Sequence, residues 1–304
     1  QPQDGRIYAT LAEIDLAIGN RDAAKAWLRQ GTETVVERSN LPVNLARMQL
    51  EDGQIEEVRR TIEILIQKQF PAPLVDYFSA RVEYADGQWH KVVKLLSDAS
   101  SQATEAPDLV KEMEYWLGRS YQNLQETDKE MQAYRRALVL DPQYAPARLM
   151  LADALRRQGQ WDLALEQYRA GPTTAPENAL LAVQVQLQRN LSLPASQRNW
   201  HNLESSLNEL AEKLPDNPDV ILLRAEMLAA QSKTKEAESL LEEAGTRMPK
   251  SVAIRCALAQ RVMQAGDQPD YAKAAQVLDA AQKELGDSVD IRVTRGVLAV
   301  RRDG

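Results

Sequence analysis

Residues 16–19 read Leu-Ala-Ile-Gly, residues 50–53 read Leu-Glu-Asp-Gly and residues 84–87 read Tyr-Ala-Asp-Gly. Their glycines, Gly19, Gly53 and Gly87, stand 34 and 34 residues apart. Proline keeps the same interval of 34, from Pro142 to Pro176 and from Pro215 to Pro249. Small residues keep it a third time: Ala12, Ala46 and Ala80, then Gly118 to Ala152, then Ala225 to Ala259. Three unrelated residue classes agree on one period. A period of this length is the mark of stacked supersecondary units.

Cutting on these markers gives units 5–38, 39–72, 73–110, 111–144, 145–178, 179–217, 218–251 and 252–288, with a partial ninth at 289–304. The third, sixth and eighth units are longer by four, five and three residues, counted from those bounds against 34. The extra residues fall at Ser100–Pro107, at Leu191–Arg198 and at Gly266–Pro269, where small, polar and proline residues favour turns. Anchoring the sixth unit on Pro215 sets Trp200 level with Trp89, Trp161 and Tyr271, an independent check on its placement.

Inside a unit the apolar spacing is helical. Met113, Leu117, Tyr121 and Leu124 form one stripe, and Met131, Tyr134, Ala137 and Leu138 form a second. A polar turn, Gln125–Asp128, separates the stripes, and Asp141-Pro142 closes the second helix. Period-two runs of β-branched residues are absent. Each unit is therefore expected to be an antiparallel helix pair that buries its apolar faces on its neighbours, giving an all-α solenoid of eight pairs and one half repeat. At 304 residues, length alone suggests two domains. The repeat favours one continuous array over 1–304 instead.

Composition removes several function classes. The 44 acidic and 37 basic residues leave a net charge of −7, against a generic phosphate-backbone binder. One Cys excludes an internal disulfide and a Cys-based zinc site, and two His make a His-rich metal site a poor expectation. No apolar run approaches the roughly 20 residues of a spanning helix. The start, Gln-Pro-Gln-Asp-Gly, has neither an initiator Met nor a signal-like segment, which fits a processed protein or an excised fragment. Cytoplasm and periplasm both remain open.

The details resemble the tetratricopeptide repeat. Unit four reads Tyr115-Trp116-Leu117-Gly118-Arg119-Ser120-Tyr121, followed by Tyr134, Ala137 and Pro142. Unit five has Leu151-Ala152, Leu155, Ala164, Tyr168 and Pro176 at the same places. The eighth position of each unit is Ala12, Ala46, Ala80, Gly118, Ala152, Gln186, Ala225, Ala259 and Gly296. All but Gln186 are small enough for close helix contact. The resemblance covers 5–304, and the richness in Ala, Leu and Gln suits a bacterial member. Against the family pattern, Arg224 and Arg295 replace Leu, Glu130 replaces Ala, and Asp76, Glu114 and Arg148 replace an aromatic. Such residues are expected at solvent or in local pairs. The sixth unit, with its insertion and Gln186, is the expected bend or weak joint.

No catalytic constellation emerges. His90 and His201 each follow a Trp at the start of a second helix, in different units, and read as surface residues. Cys256 reads as an ordinary buried or groove-lining thiol. No phosphate loop, metalloprotease helix or nucleophile elbow occurs. The expectation is a non-catalytic scaffold with no cofactor and no metal.

The resemblance implies a concave face lined by first helices, through the second, fifth, sixth, ninth, twelfth and thirteenth positions. Units two to five then present Asn44 and Arg47; Tyr77, Phe78, Arg81 and Tyr84; Tyr115, Trp116, Arg119, Gln122 and Asn123; and Asp153, Arg156 and Arg157. Arg47, Arg81 and Arg119 share the ninth position. The candidate partner-binding set is Asn44, Arg47, Tyr77, Arg81, Tyr84, Tyr115, Trp116, Arg119, Asn123 and Arg156. Guanidinium and aromatic groups of this kind suit a protein or peptide partner with acidic groups. In the alternative, the aromatics only pack between units, and the arginines pair with acids such as Glu83 or Asp153.

The family's chaperone-tail clamp is not matched. Asn44 fits its middle Asn, but Ala9, Glu13, Leu74 and Phe78 stand at the other places. Units six to eight present Leu180, Val183, Gln184, Leu187, Leu222, Leu223, Ala253 and Cys256, a stretch nearly uncharged apart from Asp219 and Glu226. It either receives an apolar segment or is closed by tight coiling. Val289–Arg301 reads as a first helix without its second, so the parent protein is expected to continue past Gly304 or to self-associate through array ends. A purely architectural module, or the repeat region of a larger enzyme or membrane protein, are the rival roles.

Overall fold

The computed structural model describes residues 4–170, 176–264 and 269–303. Among them the chain forms seventeen α-helices and no strand. They gather into two compact units, Gln1–Ala154 and Leu155–Gly304.

The first unit contains α1 (Gly5–Ala17), α2 (Arg21–Thr34), α3 (Leu41–Glu51), α4 (Ile55–Gln67), α5 (Ala72–Ala85), α6 (Trp89–Gln102), α7 (Pro107–Asn123) and α8 (Thr127–Leu140). The division falls inside α9 (Ala145–Arg157). The second unit continues with α10 (Trp161–Ala170), α11 (Pro176–Ser192), α12 (Trp200–Lys213), α13 (Pro218–Ala230), α14 (Thr234–Arg247), α15 (Val252–Val262), α16 (Tyr271–Leu285) and α17 (Val289–Asp303). The expected turn at 191–198 holds a single 3-10 turn, Ala195–Gln197. The expected turn at 266–269 lies, except for Pro269, outside the described residues.

Local chemistry sets the helix ends. Asp4, Asn199, Asn217, Ser251 and Asp270 accept a backbone N–H of the turn that follows them. Pro42, Pro73, Pro107 and Pro218 occupy first turns, where the missing N–H costs nothing. Within six of the pairs, the reversal uses one left-handed residue at the fifteenth position of the repeat. Gly19, Gly53, Gly87 and Gly159 hold it with φ of 80°, 69°, 73° and 69°. Gln125 and Ser232 hold the same place with φ of 60° and 64°, so geometry persists where glycine does not.

Each second helix packs both on its own first helix and on the first helix of the next repeat, from α1 to α8 in one unit and from α10 to α17 in the other. The eighth-position residues Ala12, Ala46, Ala80, Ala152, Ala225 and Ala259 are buried at these crossings. Gly118 is buried against the Tyr134 ring. Salt bridges staple neighbouring repeats, Arg21 to Glu51 at 2.6 Å and to Asp52 at 2.7 Å and Arg189 to Asp162 at 2.7 Å, while Lys111 to Asp141 at 3.0 Å ties the two ends of one repeat.

Most charged departures from the family pattern find local partners. Glu114 is buried but holds Arg136 through both oxygens, at 2.9 and 2.8 Å. Arg295 meets Asp279 at 2.6 Å, and Arg224 donates to Asn208 at 2.7 Å. Among the described residues Asp76 has no such cation; burial first, then the nearby Asp98, raises its carboxyl above the ordinary range.

Candidate functional site

The aromatic and arginine residues singled out in the sequence converge in the first unit, on α5 and α7. These two first helices come from consecutive repeats and touch directly. Their i, i+4 spacing turns Tyr77 and Arg81 to one face of α5, and Tyr115 and Arg119 to the corresponding face of α7. Arg81 donates to the Tyr77 hydroxyl at 2.9 Å, and Arg119 donates to the Tyr115 hydroxyl at 3.1 Å.

Trp116 is the hub. The Arg81 guanidinium carbon lies 3.7 Å from the centre of its ring, close enough for stacked cation–π contact. The Arg119 guanidinium lies 5.8 Å from the same ring and 5.8 Å from the Tyr84 ring. Tyr84 meets Trp116 edge-on at 4.8 Å, and Tyr115 meets it edge-on at 5.2 Å. Asn123 closes the group by donating to the Tyr84 hydroxyl at 3.2 Å. Among the described residues, Arg81 and Arg119 pair with hydroxyls and rings and form no salt bridge to a carboxylate.

Arg47 behaves differently. It reaches from α3 to Glu112 on α7, 65 residues on, at 2.9 Å. Burial is the largest single influence and opposes its charge, but Glu112, assisted by Tyr77 and Glu51, leaves the guanidinium raised above its ordinary range. Glu112 also faces Tyr77, whose hydroxyl is pushed well above the ordinary range by burial first, with Glu112 adding and Arg81 opposing. Tyr144, edge-on to Tyr115 at 5.9 Å, is raised to about 12 by burial, reinforced by Glu112. The phenols are therefore neutral hydrogen-bonding groups, not bases, near neutrality.

Asn44 is exposed on α3, and Arg156 belongs to the second unit. Phe78, expected beside Tyr77 on the inner face, is instead fully buried in the core with Leu65, Met113 and Leu117. Sequence reasoning missed Glu112, Trp89 and Tyr144. Glu112 occupies the second position of its repeat, so the register rule that found Arg119 also points to it. Trp89 packs on Tyr84 at 4.7 Å from a second helix, where no first-helix rule would look.

Among the described residues no group of His, Cys, Asp and Glu is fit to hold a metal ion, and no helix is long and apolar enough to cross a membrane. His90 and His201 are exposed, and Cys256 is buried, with burial raising its thiol above the usual range.

Family models for the tetratricopeptide repeat match residues 114–144 and 133–166, across α7 to α10. Residues 114–166 are tetratricopeptide repeats. The matched stretch includes Tyr115, Trp116, Arg119 and Asn123. Several solved structures share the tetratricopeptide fold. The C-terminal part of a tetratricopeptide repeat-containing protein from Cytophaga hutchinsonii aligns with a TM-score of 0.60 at 16% identity, over 83% of this chain and 98% of that one. The PilF protein of Pseudomonas aeruginosa aligns with a TM-score of 0.55 at 17% identity, over 73% and 97%. In the APC/C hetero-tetramer Cut9–Hcn1, a chain aligns with a TM-score of 0.64 at 15% identity, over 99% and 57%. At these identities the likeness is one of fold. No curated protein matches the chain in sequence.

Proposed function

We propose that this repeat scaffold binds a protein segment carrying acidic groups on the strip formed by Arg81, Tyr84, Trp116, Arg119 and Asn123, with Asn44 and Arg47 as further candidates in the same unit. One observation carries the reading: two guanidiniums from consecutive repeats meet at one indole ring with no carboxylate to neutralise them. Their tyrosine partners fix their direction yet leave their charge uncompensated, so an incoming carboxylate gains a preorganised fork. Tyr, Trp and Arg are also the side chains from which binding hot spots are built. Arg47, already held by Glu112, contributes less.

The test replaces both arginines with Gln and compares capture of partners by the wild type and the Arg81→Gln, Arg119→Gln double variant. Loss of acidic-segment binding with a melting temperature within a few degrees of wild type is expected. Unaltered binding by the double variant refutes the strip.

A second reading, association with copies of the chain, is favoured by two apolar stripes. Ile7, Ile14 and Ile18 share one exposed face of α1, and Val289, Val293 and Val300 share one exposed face of α17. Light scattering over a concentration series tests it, and a chain monomeric throughout rules it out.

A further inference from the structure

The sixth repeat departs from the small-residue rule. Every other repeat carries Ala or Gly at its eighth position, and the sixth carries Gln186 on α11. A carboxamide is too large for a close crossing, and α11 packs on α12 less extensively than α13 on α14 or α15 on α16. A cleft of about 580 Å3 results, floored by α11 and walled by the second helices α10 and α12. That volume falls within the roughly 300–1,000 Å3 of small-molecule sites.

The cleft is polar and its frame is fixed. Asn190, only 6% exposed, donates to the Asn199 carbonyl at 2.8 Å and accepts the Asn199 N–H at 3.1 Å, which locks the end of α11 to the start of α12. Arg189 reaches across to Asp162 on α10 at 2.7 Å. Gln186 has no such partner. Its Oε1 is shielded from water, and among the described residues no donor meets it. An oxygen deprived of both water and a donor destabilises the fold, so a bound donor there is rewarded. Beside it, the Asn202 amide in the first turn of α12 lines the cleft and makes no side-chain hydrogen bond among the described residues.

The lining selects the occupant. Two carboxylates, Asp162 and Glu166, balance two guanidiniums, Arg169 and Arg189. An anion meets the first pair, a cation meets the second, and an apolar ligand finds little beyond Leu165, Ala170 and Leu203. A hydroxyl group both donates and accepts, so hydroxyls serve the Gln186 oxygen and the Asn202 amide alike.

We infer that this cleft binds a neutral, polyhydroxylated ligand of saccharide type, with Gln186 accepting from one hydroxyl and Asn202 donating to another. The site faces the second helices, so it is distinct from the arginine strip and from any groove between first helices.

Calorimetric titration of the whole chain with maltose and with cellobiose tests the inference. Saturable binding of at least one sugar is expected, weakened about two- to tenfold by Gln186→Ala and by Asn202→Ala, the loss of one uncharged hydrogen bond in each. Gln186→Ala restores the small residue and removes the idle oxygen, so it is expected to melt at or above the wild-type temperature. Asn202→Ala changes an exposed position and is expected to melt within a few degrees of wild type. The melting curves separate lost binding from lost folding. Absence of binding of both sugars by the wild type overturns the inference and leaves a cleft filled by water alone. Undiminished binding by either variant overturns it as well. Lower melting of Gln186→Ala also overturns it, because the carboxamide would then support the fold. Tighter binding of glucose 6-phosphate than of either disaccharide makes it an anion site instead. The Arg81→Gln, Arg119→Gln variant must bind the sugar normally, and a loss there would place the sugar on the strip.

Discussion

Gly118 offers a sharp test of the packing argument. It stands at the eighth position of its repeat, and a Cβ placed there would lie 2.6 Å from Cδ1 and 2.7 Å from Cζ of Tyr134, closer still to Cε1. Tyr134 is fully buried and packs on Tyr115, so its ring has nowhere free to go. Overpacking costs about 1–3 kcal/mol, and contacts this short place it at about 2–3 kcal/mol, while Gly→Ala in a helix interior gains about 1 kcal/mol, so the net loss for Gly118→Ala is about 1–2 kcal/mol. For a compact unit of this size that is a fall in melting temperature of about 2–8 °C. Gly296 occupies the equivalent position on α17, is exposed, and has nothing within 4 Å of its added Cβ. Gly296→Ala should therefore stabilise by up to about 1 kcal/mol. Urea denaturation followed by circular dichroism and by tryptophan fluorescence measures both, with midpoints compared because repeat arrays need not unfold in one step. Adding Tyr134→Leu to Gly118→Ala should cost less than the sum of the single changes, since the leucine vacates the contested space. A Gly118→Ala variant as stable as wild type would refute the reasoning.

Other outcomes follow from the same structure. Gln125→Gly and Ser232→Gly should each stabilise by about 0.5 kcal/mol, because left-handed φ costs a side chain about 1–2 kcal/mol and glycine returns part of that gain as entropy; chemical denaturation decides the sign. Arg136→Met strands the buried Glu114 carboxylate and should cost about 1–3 kcal/mol, while the Glu114→Met, Arg136→Met double variant should recover most of it, as apolar replacement of a paired site does. Asp52 and Asp141 are held below the ordinary carboxylate range, Asp52 by its hydrogen bonds to Lys25 and Arg21, Asp141 by that to Lys111. Their folded forms bind protons less readily than the unfolded chain, so their stabilisation is fully present above the ordinary carboxylate range and is lost as pH falls from there through the lowered folded values. Asp52→Asn with Asp141→Asn should flatten the acid limb of melting temperature against pH below about 5.

The sequence by itself determined the helix-pair unit and its register. Turn residues, buried small residues and apolar stripes are local demands, and each recurs wherever the same backbone must be made, so a single chain displays them as a period. Register also set Arg81 and Arg119 at one shared position of two touching first helices. Tertiary structure decided what those residues do. Asn44, Phe78 and Trp116 share one repeat position, yet one is exposed, one is core and one is half-buried beneath two guanidiniums. Their difference arises from which neighbours the adjacent repeat brings, and that depends on the stacking of α3, α5 and α7. Glu112 neutralises Arg47 across 65 residues, while Arg81 and Arg119 are left to aromatic rings, a distinction carried by side-chain reach between helices.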